Sequence, residues 1–119
     1  MLLKKKKVLL IYENEEESNT AEKYLANKGY KVDKVNSLDV AYEITIHFVP
    51  DLIVVNTQNP IQEIENFNKK VELEHNKKID LLNIVDLESY LKISVNEHVA
   101  IKPVNPSLLY HLVRLIIKN

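Results

Sequence analysis

Leu52-Ile53-Val54-Val55, preceded by Pro50-Asp51 and followed by Asn56, is the stretch that decides the fold. A short unbroken run of branched apolar residues suits a strand covered on both faces, as strands of a parallel sheet are. Val8-Leu9-Leu10-Ile11 reads the same way. Between these runs, the polar segment from Glu15 to Lys28 carries Ala21 and Leu25 one helical turn apart, and Gly29 follows where a helix C-cap would want it. Lys31 to Val35 alternates as a second strand. Ser37 can cap a helix running to about Phe48, with Val40, Ala41 and Ile44 on one face, and Pro50 stops it.

Downstream of the decisive strand, Pro60 opens a helix at a permitted position, with Ile61, Ile64, Phe67 and Val71 inward at helical spacing. Asn76-Lys77-Lys78 is a turn. Ile79 to Val85 is a fourth strand, interrupted by Asp80 and Asn83. Leu87 to Val95 reads as a short helix, Val99 to Ile101 as a short fifth strand, and Pro106 to Lys118 as a last helix. Strand and helix alternate five times, which argues an α/β fold with a parallel sheet and helices on both faces. Five such units in this length suit the doubly wound, flavodoxin-like strand order 2-1-3-4-5, whose ligand site lies at the carboxyl ends of the central strands.

The bulk numbers agree with one domain over residues 1–119. That length is enough to close one core, and no repeat, low-complexity segment or linker divides it. A net charge of -1 gives no case for a nucleic-acid footprint. With no Cys, disulfides, thiolate catalysis and Cys-based zinc sites are excluded. The basic run and short apolar run of Met1 to Tyr12 fall short of a signal peptide. No stretch approaches the roughly 18 apolar residues of a membrane span, so the chain reads as cytoplasmic.

The fold directs attention to the strand ends. These hold Tyr12-Glu13 after the first strand, Asn56 after the third, Val85 after the fourth and Lys102-Pro103 after the fifth. The run Val8-Leu9-Leu10-Ile11-Tyr12-Glu13-Asn14-Glu15 resembles the opening of response-regulator receiver domains, in which two acidic residues end the first strand. Tyr24-Leu25 through Gly29-Tyr30-Lys31-Val32 is similar to the exit of their first helix. The segment from Ala41 through Pro50-Asp51-Leu52-Ile53-Val54-Val55-Asn56 to Pro60 is similar to their third strand, with Asn56 at the phosphoacceptor aspartate. Ile101-Lys102-Pro103 is similar to their lysine and cis proline. The resemblance to this CheY-like family covers nearly the whole chain.

The departures carry the functional expectation. In active receivers an acidic pair and the acceptor aspartate hold magnesium, and the aspartate attacks a phosphoryl group. Magnesium requires several hard oxygen ligands in near-octahedral geometry. Here Tyr12 takes the first acidic position, Glu13 alone keeps a carboxylate, and Asn56 offers a neutral amide. Val85 stands where the family has a Thr or Ser, and Val99 where it has a switch Tyr or Phe. Lys102 survives without its phosphate, and Glu13 is the expected counter-charge, with Asn56 accepting a further hydrogen bond. The resemblance thus implies a degenerate pseudo-receiver that binds no metal or cofactor and performs no catalysis. It would act by contact with a protein partner of a signalling pathway.

A Tyr at a strand end is more often packing than chemistry. His47, His75, His98 and His111 lie far apart with no ligand spacing, and Lys4 to Lys7 read as a solvated edge. A conventional response regulator would need an acceptor elsewhere, for which Glu13 and Glu63 are the nearby carboxylates. A phosphate-binding or nucleotide-binding role on this fold would need a small-residue loop after the first strand, where Asn14-Glu15-Glu16-Glu17 would repel an anion.

Two expectations concern geometry away from the pocket. The stretch from Val85 to Lys102 is shorter than in most receivers, with Val95-Asn96 replacing a small-residue turn, so the fourth helix is expected to be short or displaced. In the last helix Leu108, Leu112, Leu115 and Ile116 are expected to face the core, at roughly 100° per residue. Tyr110, Val113 and Ile117 would then form an exposed stripe for a partner or a homodimer, with Tyr90 and Leu91 extending or covering it. With Lys118-Asn119 closing the sequence directly after this helix, no attached output domain is expected.

Overall fold

The computed structural model describes residues 4–92 and 98–118. The elements run β1 (Lys7–Tyr12), α1 (Glu15–Asn27), β2 (Lys31–Val35), α2 (Leu38–Thr45), β3 (Leu52–Asn56), α3 (Ile61–His75), β4 (Asp80–Val85), α4 (Leu87–Tyr90), β5 (His98–Ile101) and α5 (Pro106–Ile116). The five strands form one parallel sheet in the order β2-β1-β3-β4-β5.

The unbroken apolar strands are buried because both sheet faces are covered. Along β1, Val8, Leu10 and Tyr12 face a core shared with α1 and α5, while Leu9 and Ile11 face a second core shared with α2 and α3. In β3, Leu52 and Val54 join the first core, and Ile53 and Val55 the second. Two-sided burial removes the polar alternation that a one-sided strand would show.

Local chemistry sets most helix starts. The side chains of Asn14, Ser37, Asp86 and Asn105 accept from the backbone N–H of Glu17, Val40, Ser89 and Leu108, at 2.9, 3.3, 2.7 and 2.8 Å. Each satisfies a donor that the first helical turn leaves open. After α1 the chain reverses through Gly29 at φ 101°, and after α3 through Asn76 at φ 48°. Adding a Cβ at Gly29 meets nothing within 4 Å, so the backbone angle rather than space favours glycine there.

Several sequence expectations need correction. The second helix ends at Thr45 rather than near Phe48. Val40 is 42% exposed, so the buried side of that helix centres on Ala41 and Thr45. The largest correction concerns α5. Leu109 and Val113 are its buried residues, at 1% and 0% exposure, and the residue that follows it, Ile117, is buried at 6%. Leu108 and Leu115, assigned to the core, are 41% and 71% exposed. Tyr110 is half-buried against the core cluster, with its ring 6.2 Å from that of Tyr24 and 6.4 Å from that of Tyr30. Val113 and Ile117 are therefore packed into the core on the α1 side of the sheet, and the expected exposed stripe Tyr110-Val113-Ile117 does not form. Tyr90 and Leu91 are exposed and belong to neither core. Helix α4 is a single turn of four residues, and the Val95-Asn96 turn lies outside the described residues.

Candidate functional site at the strand ends

Strand alternation decides which strand-end residues meet. Tyr12 and Asn56 are register partners across β1 and β3, and both follow the face that carries Leu10 and Val54. Val85 follows the opposite face of β4, next in alternation to Asn83 and Leu81. Its carbonyl accepts from Lys102 N at 2.8 Å, which ties the end of β5 to the end of β4. The Lys102–Pro103 peptide is cis. Val99 pairs with Asn83 within the β4–β5 ladder and is half-buried.

Tyr12, Asn56 and Lys102 border one cavity of about 550 Å³, together with Glu17, Pro103 and Leu109. Tyr12 is 4% exposed. Burial, and then the Glu17 carboxylate, push its phenol far above the usual range, so the ring stays neutral. The Asn56 Nδ2 donates to Glu17 Oε2 at 3.3 Å. Glu13 turns away from this cavity. Its Oε1 accepts from Gln58 N at 2.7 Å, while its own N–H donates to Asn56 O at 3.3 Å. Glu13 thus staples the β3–α3 loop to the end of β1.

Lys102 is half-buried between two clefts, and here too an expectation is corrected. Among the described residues no ion pair joins it to Glu13. On its other side a cleft of about 240 Å³ is lined by Lys102, Val85, Asp86, Asn83 and Lys92. Asp86 lines this cleft together with Lys102. Hydrogen bonds from Ser89, backbone first and then side chain, hold its carboxyl below the ordinary range, and the charges of Lys102 and Lys92 add to this. The physical reason is reach. The Glu13 carboxylate is already bound to a backbone N–H, and strand alternation directs it away from the Lys102 cavity.

Three residues of this region escaped sequence reasoning. Glu17 binds Asn56 and Gln58 binds Glu13; in sequence Glu17 is one of an acidic run with nothing to mark it as the partner of Asn56, and Gln58 carries no signal. Asn83 left a faint one, because it interrupts an otherwise apolar strand. It is 2% exposed, and its Nδ2 has no hydrogen-bond partner among the described residues. Glu63 accepts from Asn59 Nδ2 at 2.9 Å and is occupied in the β3–α3 corner.

The donors present do not fit a magnesium ion of the receiver type. The Glu13 carboxylate is bound to Gln58 N, the Glu17 carboxylate accepts from the Asn56 amide, and Tyr12 offers a buried neutral phenol. Magnesium is held by hard, mostly anionic oxygens in near-octahedral array. Among the described residues no group of three or more His, Cys, Asp or Glu side chains is placed to hold a metal.

No protein-family model matches this sequence, and no curated protein does. Solved structures do match. The chain is similar to the chemotaxis response regulator CheY4 of Vibrio cholerae, at 17% identity and a TM-score of 0.77, over 96% of this chain and 100% of that one. It is similar to HP1043, an orphan response regulator of H. pylori, at 20% identity and a TM-score of 0.73, over 95% and 97% of the two chains. A CheY-like receiver domain from Methylobacillus flagellatus matches at 14% identity and a TM-score of 0.74, over 96% and 100%. The structural neighbours are thus CheY-like receiver domains, and this chain has their fold.

Proposed function

We propose that the chain is a receiver-like signalling module that works by protein contact and without phosphorylation. It is read as a single non-enzymatic domain acting in the cytoplasm on a protein partner. The observation that carries this reading is Asn56. It stands at the acceptor position, its amide donates to Glu17, and its register partner is the buried neutral ring of Tyr12. An amide nitrogen with its lone pair in resonance is a poor nucleophile, and the neighbouring groups supply no metal site to assist it. Val85 and Val99 add no hydroxyl to follow a phosphoryl group. No helix among the described residues is long and apolar enough to cross a membrane.

The test is incubation with acetyl phosphate or phosphoramidate plus magnesium, read by intact mass. No phosphoryl adduct is expected. An adduct mapping to Asn56 or its neighbours would restore the conventional response-regulator reading. Asn56→Asp alone is expected to label poorly as well, because Tyr12 still leaves the metal site incomplete.

A further inference from the structure

The end of the sheet opposite the strand tips concentrates positive charge that the proposed function leaves unused. Lys4, Lys5 and Lys6 lead into β1, Lys28 caps the end of α1, and Arg114 lies in the last turn of α5. With Tyr30 and Tyr110 they line an open groove of about 640 Å³, which no Asp or Glu among the described residues borders. The chain as a whole carries a net charge of -1, so this is a local excess. Helix dipoles account for part of it, since carbonyls at helix C-termini favour cations such as Lys28 and Arg114. Lys4, Lys5 and Lys6 precede a strand and complement no helix end. Among the described residues none of the five forms an ion pair.

The aromatic residues hold two of these cations in place. Lys28 Nζ lies 5.1 Å from the Tyr110 ring centre and 5.5 Å from that of Tyr24. The Arg114 guanidinium lies 5.6 Å from the Tyr110 centre. Cation–π contacts of this kind order long side chains in advance, and prior ordering lowers the entropy a ligand must overcome.

We propose that this groove docks an extended acidic segment of a partner polypeptide. Charge complementarity sets the sign of the ligand, and the rings set its class. Single-stranded nucleic acid binds by stacking bases on free aromatic faces, but Lys28 and Arg114 already lie over Tyr110, and Tyr30 is 7% exposed. A bilayer presents a flat surface, whereas these cations line a concavity. Glutamate and aspartate side chains need no free ring face and can meet the lysine and arginine head groups directly. The assignment names the partner chemistry for the contact function above and rests on that reading for there being a partner protein. The phosphoryl-transfer test probes the opposite end of the sheet, so the two can fail separately.

Fluorescence anisotropy with a labelled oligoglutamate peptide tests it, beside an oligodeoxythymidine of equal charge and phosphatidylserine–phosphatidylcholine vesicles. Saturable peptide binding that weakens as salt rises is expected. The pair Lys28→Glu and Arg114→Glu should weaken it by about tenfold or more, while Lys69→Glu with Lys78→Glu, which line a different cleft, should leave it within about twofold. Amide shifts on peptide addition should centre on Lys28, Tyr30 and Arg114. If the charge-reversed pair loses its circular dichroism signal, Lys5→Gln with Lys6→Gln replaces it, with the same direction expected. Absent saturation, tighter binding of oligonucleotide or vesicles, equal loss in the control pair, or shifts centred elsewhere would each overturn the proposal.

Discussion

Tyr12 ends β1 with its ring in the cluster that also holds Leu10, Val54 and Leu109. Burial raises its phenol above the ordinary value of about 10. The sign of the linkage follows directly. The neutral ring's contribution is fully present below the unfolded value and is lost as pH rises from there through the folded one. Tyr12→Phe should therefore narrow the stability lost between about pH 8 and about pH 10.5, read from urea midpoints. Parallel midpoints in the two proteins would mean that the phenol ionises freely in the folded state. Tyr12→Asp would place a second carboxylate next to Glu13 at the end of β1. It should destabilise the fold by about 3 kcal/mol or more at neutral pH, because a carboxylate would occupy a buried apolar site. Equilibrium urea unfolding measures this, and a cost under about 1 kcal/mol would show that the site admits water. The Tyr12 ring is thus part of the packing at the end of β1.

Helix α5 shows how an element can be clear in sequence and still be misfaced. Its apolar residues span an arc of roughly 220°, from Leu115 round to Tyr110, at about 100° per residue. A sheet face buries a narrower arc than that. The sequence-based expectation centred the buried arc near Leu112, whereas the structure centres it between Leu109 and Val113, about one residue further round. Val113→Ala should consequently cost about 2 kcal/mol in urea unfolding. Leu115→Ala, at a residue 71% exposed, should change stability by less than about 0.5 kcal/mol. The reverse ranking would restore the original facing. At the other end of this helix, the Asn105 side chain accepts from Leu108 N, and Asn105→Ala should cost about 1 kcal/mol, measured the same way.

At the scale of the whole molecule, order is expected to fall off from the middle of the sheet toward β5. Strands β1 and β3 lie inside the sheet with Val8 to Ile11 and Leu52 to Val55 fully buried, while β5 is an edge strand of four residues beside the single turn of α4. Amide hydrogen exchange should reach its greatest protection in β1 and β3, and α4 and β5 should exchange faster through local opening. Uniform protection across the five strands would contradict this gradient. Leu87 and Leu91, at 57% and 75% exposure, belong to the same lightly covered corner.

The sequence by itself determined the five alternating units, the strand order and the residues standing at the strand ends. Unbroken branched runs, capping residues and Gly29 act within a few positions of where they sit, so their effect is written locally. Only the tertiary structure decided that Glu13 binds Gln58 rather than Lys102, that Asn56 donates to Glu17, and that α5 turns Val113 inward. Each of these is a choice among partners of similar chemistry on different elements. Such choices are settled by which side of a strand a residue follows and by how much of a helix the sheet can cover. Both depend on the packed assembly, and neither is a property of a short run of sequence.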